Sequence, residues 1–112
     1  MRVALPTKNN MIETPLESAS EFTIYEVEIE LVTKKEVVEI SHLKQSTWFT
    51  DEKIDCVLCN HIDSHMRNML RVQHIELTYG VSGDTDDVMI RYLSGERIGK
   101  TDENAYWTQE KE

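Results

Sequence analysis

One short apolar run near the middle of the chain restricts the fold more than any other feature. Residues 54–59 read Ile-Asp-Cys-Val-Leu-Cys, the pattern of a strand that is buried on both faces of a sheet. Strands of this kind are central and parallel, and a parallel neighbour is reached through a helix. A helix is predicted directly after the run, because Ile62, Met66, Met69 and Leu70 form one apolar stripe at helical spacing. The chain is therefore predicted to fold as an α/β domain.

The rest of the second half repeats this strand and helix order. A strand is predicted at residues 75–79, followed by a turn at residues 80–85 and a second amphipathic helix that Gly95 ends. Asp63 and Asp84 are each placed to cap the start of a helix, where a carboxylate also complements the helix dipole. The two strand–helix units predict a right-handed parallel crossover.

The first half is predicted to form an antiparallel meander of three strands. The strands are expected at residues 2–5, 22–31 and 37–40, where apolar residues are contiguous or alternate. Residues 11–20 are expected to form a loop, and residues 33–35 the hairpin connection. Only a short helix, capped by Ser46 or Thr47, is expected before the central strand.

The charge of the chain argues against two classes of partner. The 112 residues include 21 acidic and 12 basic side chains, and the net charge of −9 opposes contact with nucleic acid or an anionic membrane. No apolar stretch reaches the length of a membrane span, and the first residues lack a signal-peptide pattern, so a cytoplasmic protein is expected. The two cysteines are expected to be reduced thiols. One domain is predicted at residues 1–98, followed by an acidic, flexible tail at residues 99–112.

Four segments resemble the nitrogenase iron-molybdenum-cofactor accessory family, of the NifX and NifB C-terminal-domain type. The segments are Met1-Arg2-Val3-Ala4-Leu5-Pro6, Phe22-Thr23-Ile24-Tyr25-Glu26-Val27, Asp55-Cys56-Val57-Leu58-Cys59-Asn60-His61-Ile62, and Tyr79-Gly80-Val81-Ser82-Gly83 with Tyr92-Leu93-Ser94-Gly95. They are similar, in order, to the family's first strand, its aromatic-rich second strand, its cysteine-ended strand, and its Gly-x-Ser-Gly turn with the helix end that follows. Cys59 falls on the family's cysteine.

This resemblance implies a three-layer, ribonuclease H-like fold with a mixed five-stranded sheet in the order 3-2-1-4-5. It also implies a non-enzymatic module that carries an iron–molybdenum or other metal–sulfur cluster to an acceptor or biosynthetic partner protein. Two departures indicate lost or altered ligand binding. Pro15 stands where the family has a loop histidine. Asn60 and His61 replace the glycines that follow the cysteine, and their side chains are expected to narrow the binding pocket beside it. The alternative is a degenerate member that acts as a protein-interaction or regulatory domain without bound metal.

A candidate binding site is expected at the carboxyl ends of the parallel strands, where open α/β sheets bind ligands. Its predicted residues are Thr7, Cys59, Asn60, His61, Gly80, Ser82 and Gly83. Cys59 and His61 are the candidate metal ligands, since a thiolate and an imidazole suit iron, copper or zinc. The competing interpretation is that Cys59 only fills the core, as free cysteines usually do. Cys56 is not expected to join the site, because strand residues three apart point to opposite faces.

No catalytic constellation is found in the sequence. No nucleophile has an identifiable base, and the carboxylates do not gather at the central strand ends, so an enzyme is not predicted. His42 could approach the same end of the sheet from its loop, although a loop histidine is usually just exposed. An exposed strand edge could pair with a second copy, which predicts a homo-oligomer without identifying the residues that form it.

Overall fold

Four strands precede the first α-helix, and strands and helices then alternate, in a computed structural model that describes residues 1–41 and 45–101. The strands of this part are β1 (Arg2–Lys8), β2 (Met11–Ile12), β3 (Glu21–Glu28), β4 (Leu31–Glu39), β5 (Cys56–Leu58), β6 (Glu76–Tyr79) and β7 (Lys100–Thr101). Its α-helices are α1 (Gln45–Asp51), α2 (Ser64–Val72) and α3 (Thr85–Leu93), and one 3-10 turn occupies Leu16–Ser18. None of these helices is long and apolar enough to cross a membrane.

The strands form one mixed sheet in the order β4-β3-β1-β5-β6-β7, with β2 paired to β1. The central strands β1, β5 and β6 are parallel, and every other pairing is antiparallel. The α/β prediction is confirmed, but the sheet differs in detail from the predicted one because β2 and β7 add two strands. Each of these strands has only two residues, too few for any periodic pattern. β2 lies in the predicted loop, and β7 in the predicted tail, whose remainder from residue 102 lies outside the described residues.

Helices cover both faces of the sheet. Because successive residues of a strand point to opposite sides, the strands contribute side chains to a core on each face. One core lies between the sheet and the pair α1 and α2, and it contains Ala4, Phe22, Ile24, Phe49, Val57, Cys59, Met66, Leu70 and Leu77. The other lies beneath α3 and contains Val3, Leu5, Tyr25, Val27, Cys56, Leu58, Val88 and Met89. Cys56 and Cys59 therefore point to opposite faces, as predicted.

The two predicted helix caps are both confirmed. Asp63 accepts a hydrogen bond from the backbone N–H of Met66 at 2.8 Å, and Asp84 accepts one from Asp87 at 3.1 Å. Gly95 follows α3 and ends it in the left-handed conformation, with φ of 87°, which glycine adopts readily.

The predicted start of α1 was wrong. The helix already begins at Gln45, so Ser46 and Thr47 lie inside it. Gln45 is buried, and its side-chain amide donates to the carbonyl oxygen of Ala19 at 2.9 Å, which ties α1 to the first loop. His42 lies outside the described residues.

The connection of the β3–β4 hairpin also differs from the prediction at residues 33–35. It consists of Ile29 and Glu30, whose φ angles are 50° and 63°. A two-residue turn with both φ values positive is normally taken by Asn-Gly, so the sequence carries none of the usual signal for it. The chain then continues through β4, and the pairing of β3 with β4 has a register shift between Glu26 and Val27.

The Ile29–Glu30 turn generates a stability prediction. Replacing Ile29 by Asn together with Glu30 by Gly is expected to raise the free energy of unfolding by about 1 kcal/mol, because both new residues tolerate positive φ. Chemical denaturation of both proteins measures this difference. Ile90→Asn, which also removes an exposed isoleucine but from a helix, is the control and should give no gain. An unchanged or lower unfolding free energy in the double variant would contradict the prediction.

Candidate functional site at the ends of the parallel strands

The carboxyl ends of β5 and β6 lie side by side, as expected for parallel neighbours. The backbone N–H of Gly80 donates to the carbonyl oxygen of Asn60 at 2.7 Å, and that of Val81 donates to Cys59 at 3.0 Å. These bonds extend the pairing of the two strands beyond their last regular residues. The segments 59–61 and 80–83 are thereby joined into one continuous rim of the sheet.

The first loop runs across this rim and closes it. The backbone N–H of Ile12 donates to Gly83 at 3.0 Å, and that of Leu16 donates to His61 at 2.9 Å. Between them, the N–H of Glu13 donates to Pro6, at the end of β1, at 2.8 Å. The loop is thus bonded to the ends of all three parallel strands. Pro15 lies in this loop immediately before the 3-10 turn.

Cys59 lies beneath the closed loop. Its side chain is 0% exposed and belongs to the same core as Leu16 and Ala19, which come from the loop. Burial, and after it the negative charge of Glu17, raise the pKa of the Cys59 thiol to about 12, and the positive charge of Arg67 opposes this increase. A thiol in this environment is neutral at physiological pH, whereas the form that ligates a metal is the thiolate.

Two charged side chains near Cys59 were missed by the sequence analysis. The guanidinium carbon of Arg67 lies 4.5 Å from the centre of the Tyr79 ring, a stacking contact with an aromatic face. Oε2 of Glu17 and Nε of Arg67 are both buried without a hydrogen-bond partner. The sequence signal that could have identified Arg67 is its position beside the apolar stripe of α2, next to Met66.

The other predicted site residues lie at different depths. His61 and Ser82 are exposed, and Asn60 is half-buried. Gly80 and Gly83 have φ of 80° and 111°, and the space where a Cβ atom would lie is open at both. These five residues therefore line the rim itself.

Thr7 does not share this environment. It is 1% exposed, and its hydroxyl lies 2.9 Å from the Thr23 hydroxyl and donates to Glu21 at 2.9 Å. By strand alternation it faces the side of the sheet that α3 covers, together with Val3 and Leu5. The structure thus separates Thr7 from Cys59, although both stand at strand ends.

The donor set at the rim is small. Among residues 1–41 and 45–101, no three His, Cys, Asp or Glu side chains are grouped so that they could hold a metal ion. Of the two candidate ligands, Cys59 is covered and His61 is exposed. A preformed metal centre made of these two side chains does not fit the closed loop.

Comparison with known proteins identifies the family. The model of the dinitrogenase iron-molybdenum cofactor family matches residues 1–95. The chain belongs to this family. No curated protein matches it.

Solved structures resemble the whole family domain. PH0822 is 25% identical, with a TM-score of 0.81 over 91% of this chain and 95% of that chain. The protein mj0327 from Methanocaldococcus jannaschii is 18% identical, with a TM-score of 0.77 over 90% and 93% of the two chains. The apo form of the orange protein from Desulfovibrio gigas is 14% identical, with a TM-score of 0.70 over 85% and 88%. The latter two likenesses concern the fold alone.

The cover over Cys59 can be tested by thiol alkylation. Leu16→Ala removes a fully buried side chain of the first loop and should expose Cys59 to a water-soluble reagent. Leu5→Ala is the matched control, because Leu5 is equally buried but lies in the core on the opposite face. Both variants are expected to lose about 2–5 kcal/mol of stability. The two variants are alkylated briefly under conditions that give both the same unfolded fraction. Mass spectrometry should then find faster labelling of Cys59 only in Leu16→Ala. Equal labelling in the two variants would show that the loop does not protect the thiol.

The raised pKa of Cys59 makes stability depend on alkaline pH. The unfolded thiol loses its proton near pH 9, whereas the folded one keeps it up to about pH 12. The folded state therefore binds more protons within this window, and the free energy of unfolding falls as pH rises. Denaturant titrations should show that the free energy of unfolding falls less between pH 9 and 12 for Cys59→Ala than for the unmodified protein.

Leu70→Ala is the control for this measurement. It removes a buried side chain of the same core without removing a titrating group, so it should lower stability by a similar amount at every pH. If Cys59→Ala had the same pH slope as the unmodified chain, the thiol would not titrate late in the folded state.

Proposed function

We propose that this chain is a non-enzymatic module of the dinitrogenase iron-molybdenum cofactor family that has lost ligation of a metal–sulfur cluster through Cys59. In this proposal it acts through contacts with an acceptor or biosynthetic partner protein, or in a regulatory role. The observation that carries the proposal is the state of Cys59, which is fully buried in a core that it shares with the first loop and is held as a neutral thiol. Pro15 in that loop supports the same conclusion, because a proline offers no side-chain ligand.

The second candidate function is that of a working cluster carrier with an altered site. Family membership favours it, because the matched family is named for the iron–molybdenum cofactor. In this alternative the cargo would lie on the exposed rim, near His61 and the backbone of Ser82 and Gly83, and Cys59 would stay covered. Of the predicted ligand pair Cys59 and His61, only the imidazole of His61 is exposed there.

The proposed absence of catalysis is supported by how the acidic residues are used. Asp63 and Asp84 cap helices, and Asp86 accepts hydrogen bonds from Tyr25 and Lys35 at 2.7 and 2.9 Å. No described group of carboxylates is left placed to hold catalytic metal ions. We propose in addition that the three-layer arrangement is ribonuclease H-like and that the protein, with two free thiols, acts in the cytoplasm.

Metal content after reconstitution tests the proposal. The purified protein, Cys59→Ala and His61→Ala are exposed anaerobically to iron, molybdate and sulfide, and the metal-to-protein ratio is measured after gel filtration. We expect well under one metal per chain, with no difference between the unmodified protein and Cys59→Ala.

The variants separate the two candidate functions. Near-stoichiometric metal that is lost in Cys59→Ala would overturn the proposal, since the thiol would then be a ligand. Metal that is kept in Cys59→Ala but lost in His61→Ala would favour the altered carrier instead.

A further inference from the structure

The outer strand of the sheet, β4, is long and open on one side. Its nine residues pair with β3, and no other described strand lies against them. Leu31, Val32 and Val37 are exposed large apolar residues on this strand, and Val37 is 55% exposed. An open strand edge with apolar side chains is a template for pairing with another strand.

The hydrogen-bonding pattern identifies which backbone groups of β4 point outward. The N–H of Ile40 donates to Ser20, so residues 20 and 40 form a hydrogen-bonded pair of the antiparallel ladder. Such pairs alternate with pairs whose N–H and C=O groups point away from each other. With the register of Thr23 opposite Val37, the backbone groups of Lys35, Val37 and Glu39 face the open edge.

The same alternation is supported on the other side of β3. Pro6, which has no N–H group, stands opposite Phe22. Met1 and Val27 exchange hydrogen bonds at 2.9 and 2.8 Å, so the odd-numbered residues of β3 bond to β1. Their partners on β4 are therefore the ones left facing outward.

We propose that β4 pairs antiparallel with β4 of a second copy of this chain, about a two-fold axis at Val37. In this register Val37 stands opposite its own copy, and Lys35 of each chain stands opposite Glu39 of the other. The three outward-facing residues of each strand would then exchange about six backbone hydrogen bonds. The two Lys35–Glu39 pairs place opposite charges directly across from each other on one face, which is the favourable arrangement in a sheet.

The charge of β4 fits a second copy of the chain. The chain as a whole carries a net charge of −9, so two copies repel each other over most orientations. The strand, by contrast, contains two lysines and two glutamates and is neutral: Lys34, Lys35, Glu36 and Glu39. An approach through β4 is therefore one in which the local charges do not oppose association.

Lys35 can take part without losing its present contacts. Its ammonium donates to Oδ1 of Asn10 at 3.0 Å and to Oδ1 of Asp86 at 2.9 Å. An ammonium has three donors, so one remains for a carboxylate of the second copy. The inference concerns the edge of the sheet and does not depend on whether the strand ends bind a cluster.

Sedimentation equilibrium over a wide range of protein concentration tests this proposal. The unmodified chain should approach twice its monomer mass, while Val37→Lys, which places two lysines opposite each other at the axis, should dimerise about tenfold more weakly or worse. Val72→Lys is the matched control, because Val72 is also an exposed valine, 76% exposed, but lies on α2. It should dimerise like the unmodified chain. A monomer at about 1 mM, or equal dimerisation of Val37→Lys and Val72→Lys, would overturn the proposal.

Two further measurements fix the register. Glu39→Lys should weaken the dimer, because the new lysine would stand opposite Lys35 of the other copy. The exchanged pair, Lys35→Glu with Glu39→Lys, should restore dimerisation. Thermal unfolding of each variant confirms that it is folded. Hydrogen exchange should find the amides of Lys35, Val37 and Glu39 protected at high protein concentration only. Failure of the exchanged pair to recover dimerisation would rule out this register. Protection of these amides by an extended peptide, in a chain that stays monomeric, would assign the edge to another protein's strand and overturn the proposal.

Discussion

The closure of the first loop over the ends of the parallel strands is the constraint on which the candidate site depends. The backbone bonds of Ile12 to Gly83 and of Leu16 to His61 attach the loop at both sides. Leu16 then fills the core above Cys59, and Gln45 of α1 holds the next part of the loop through Ala19. Because Leu16 and Ala19 belong to the core that buries Cys59, opening of the loop would remove part of the cover over the thiol.

A polar network at the start of α3 fixes the opposite face of the same loop. Asn10, with φ of 63°, accepts from the hydroxyl of Thr85 at 3.0 Å and donates to Asp84 at 3.0 Å. The hydrogen bond from Tyr25 and the contacts with Lys35 hold the pKa of the Asp86 carboxyl below its usual value. The acidic residues Asp84 and Asp86 thus join α3 to the first loop and to β4.

The sequence predicted the features that depend on local pattern. The buried strand, the amphipathic α2, the caps at Asp63 and Asp84, and the opposite faces of Cys56 and Cys59 all follow from spacing and residue type. The features it missed depend on contacts between distant residues. Ile29–Glu30 adopts a turn that its residue types disfavour, and the cover over Cys59 requires residues 16 and 61 to meet, which no periodicity encodes. For the same reason, the sequence placed Thr7 at the site although its side chain points to the other face of the sheet.

The energies involved indicate why the closed loop opposes ligation of a metal by Cys59. Ionising the buried thiol, whose pKa is about 12, at pH 7 while the loop stays closed costs about 7 kcal/mol. This cost is comparable with the whole stability of a small domain, about 5–15 kcal/mol. Metal–thiolate bonding can supply such an energy, but only after the sulfur is reached. A glycine-rich strand end would allow a ligand to approach along the backbone, whereas Asn60 and His61 add side chains to the rim beside Cys59.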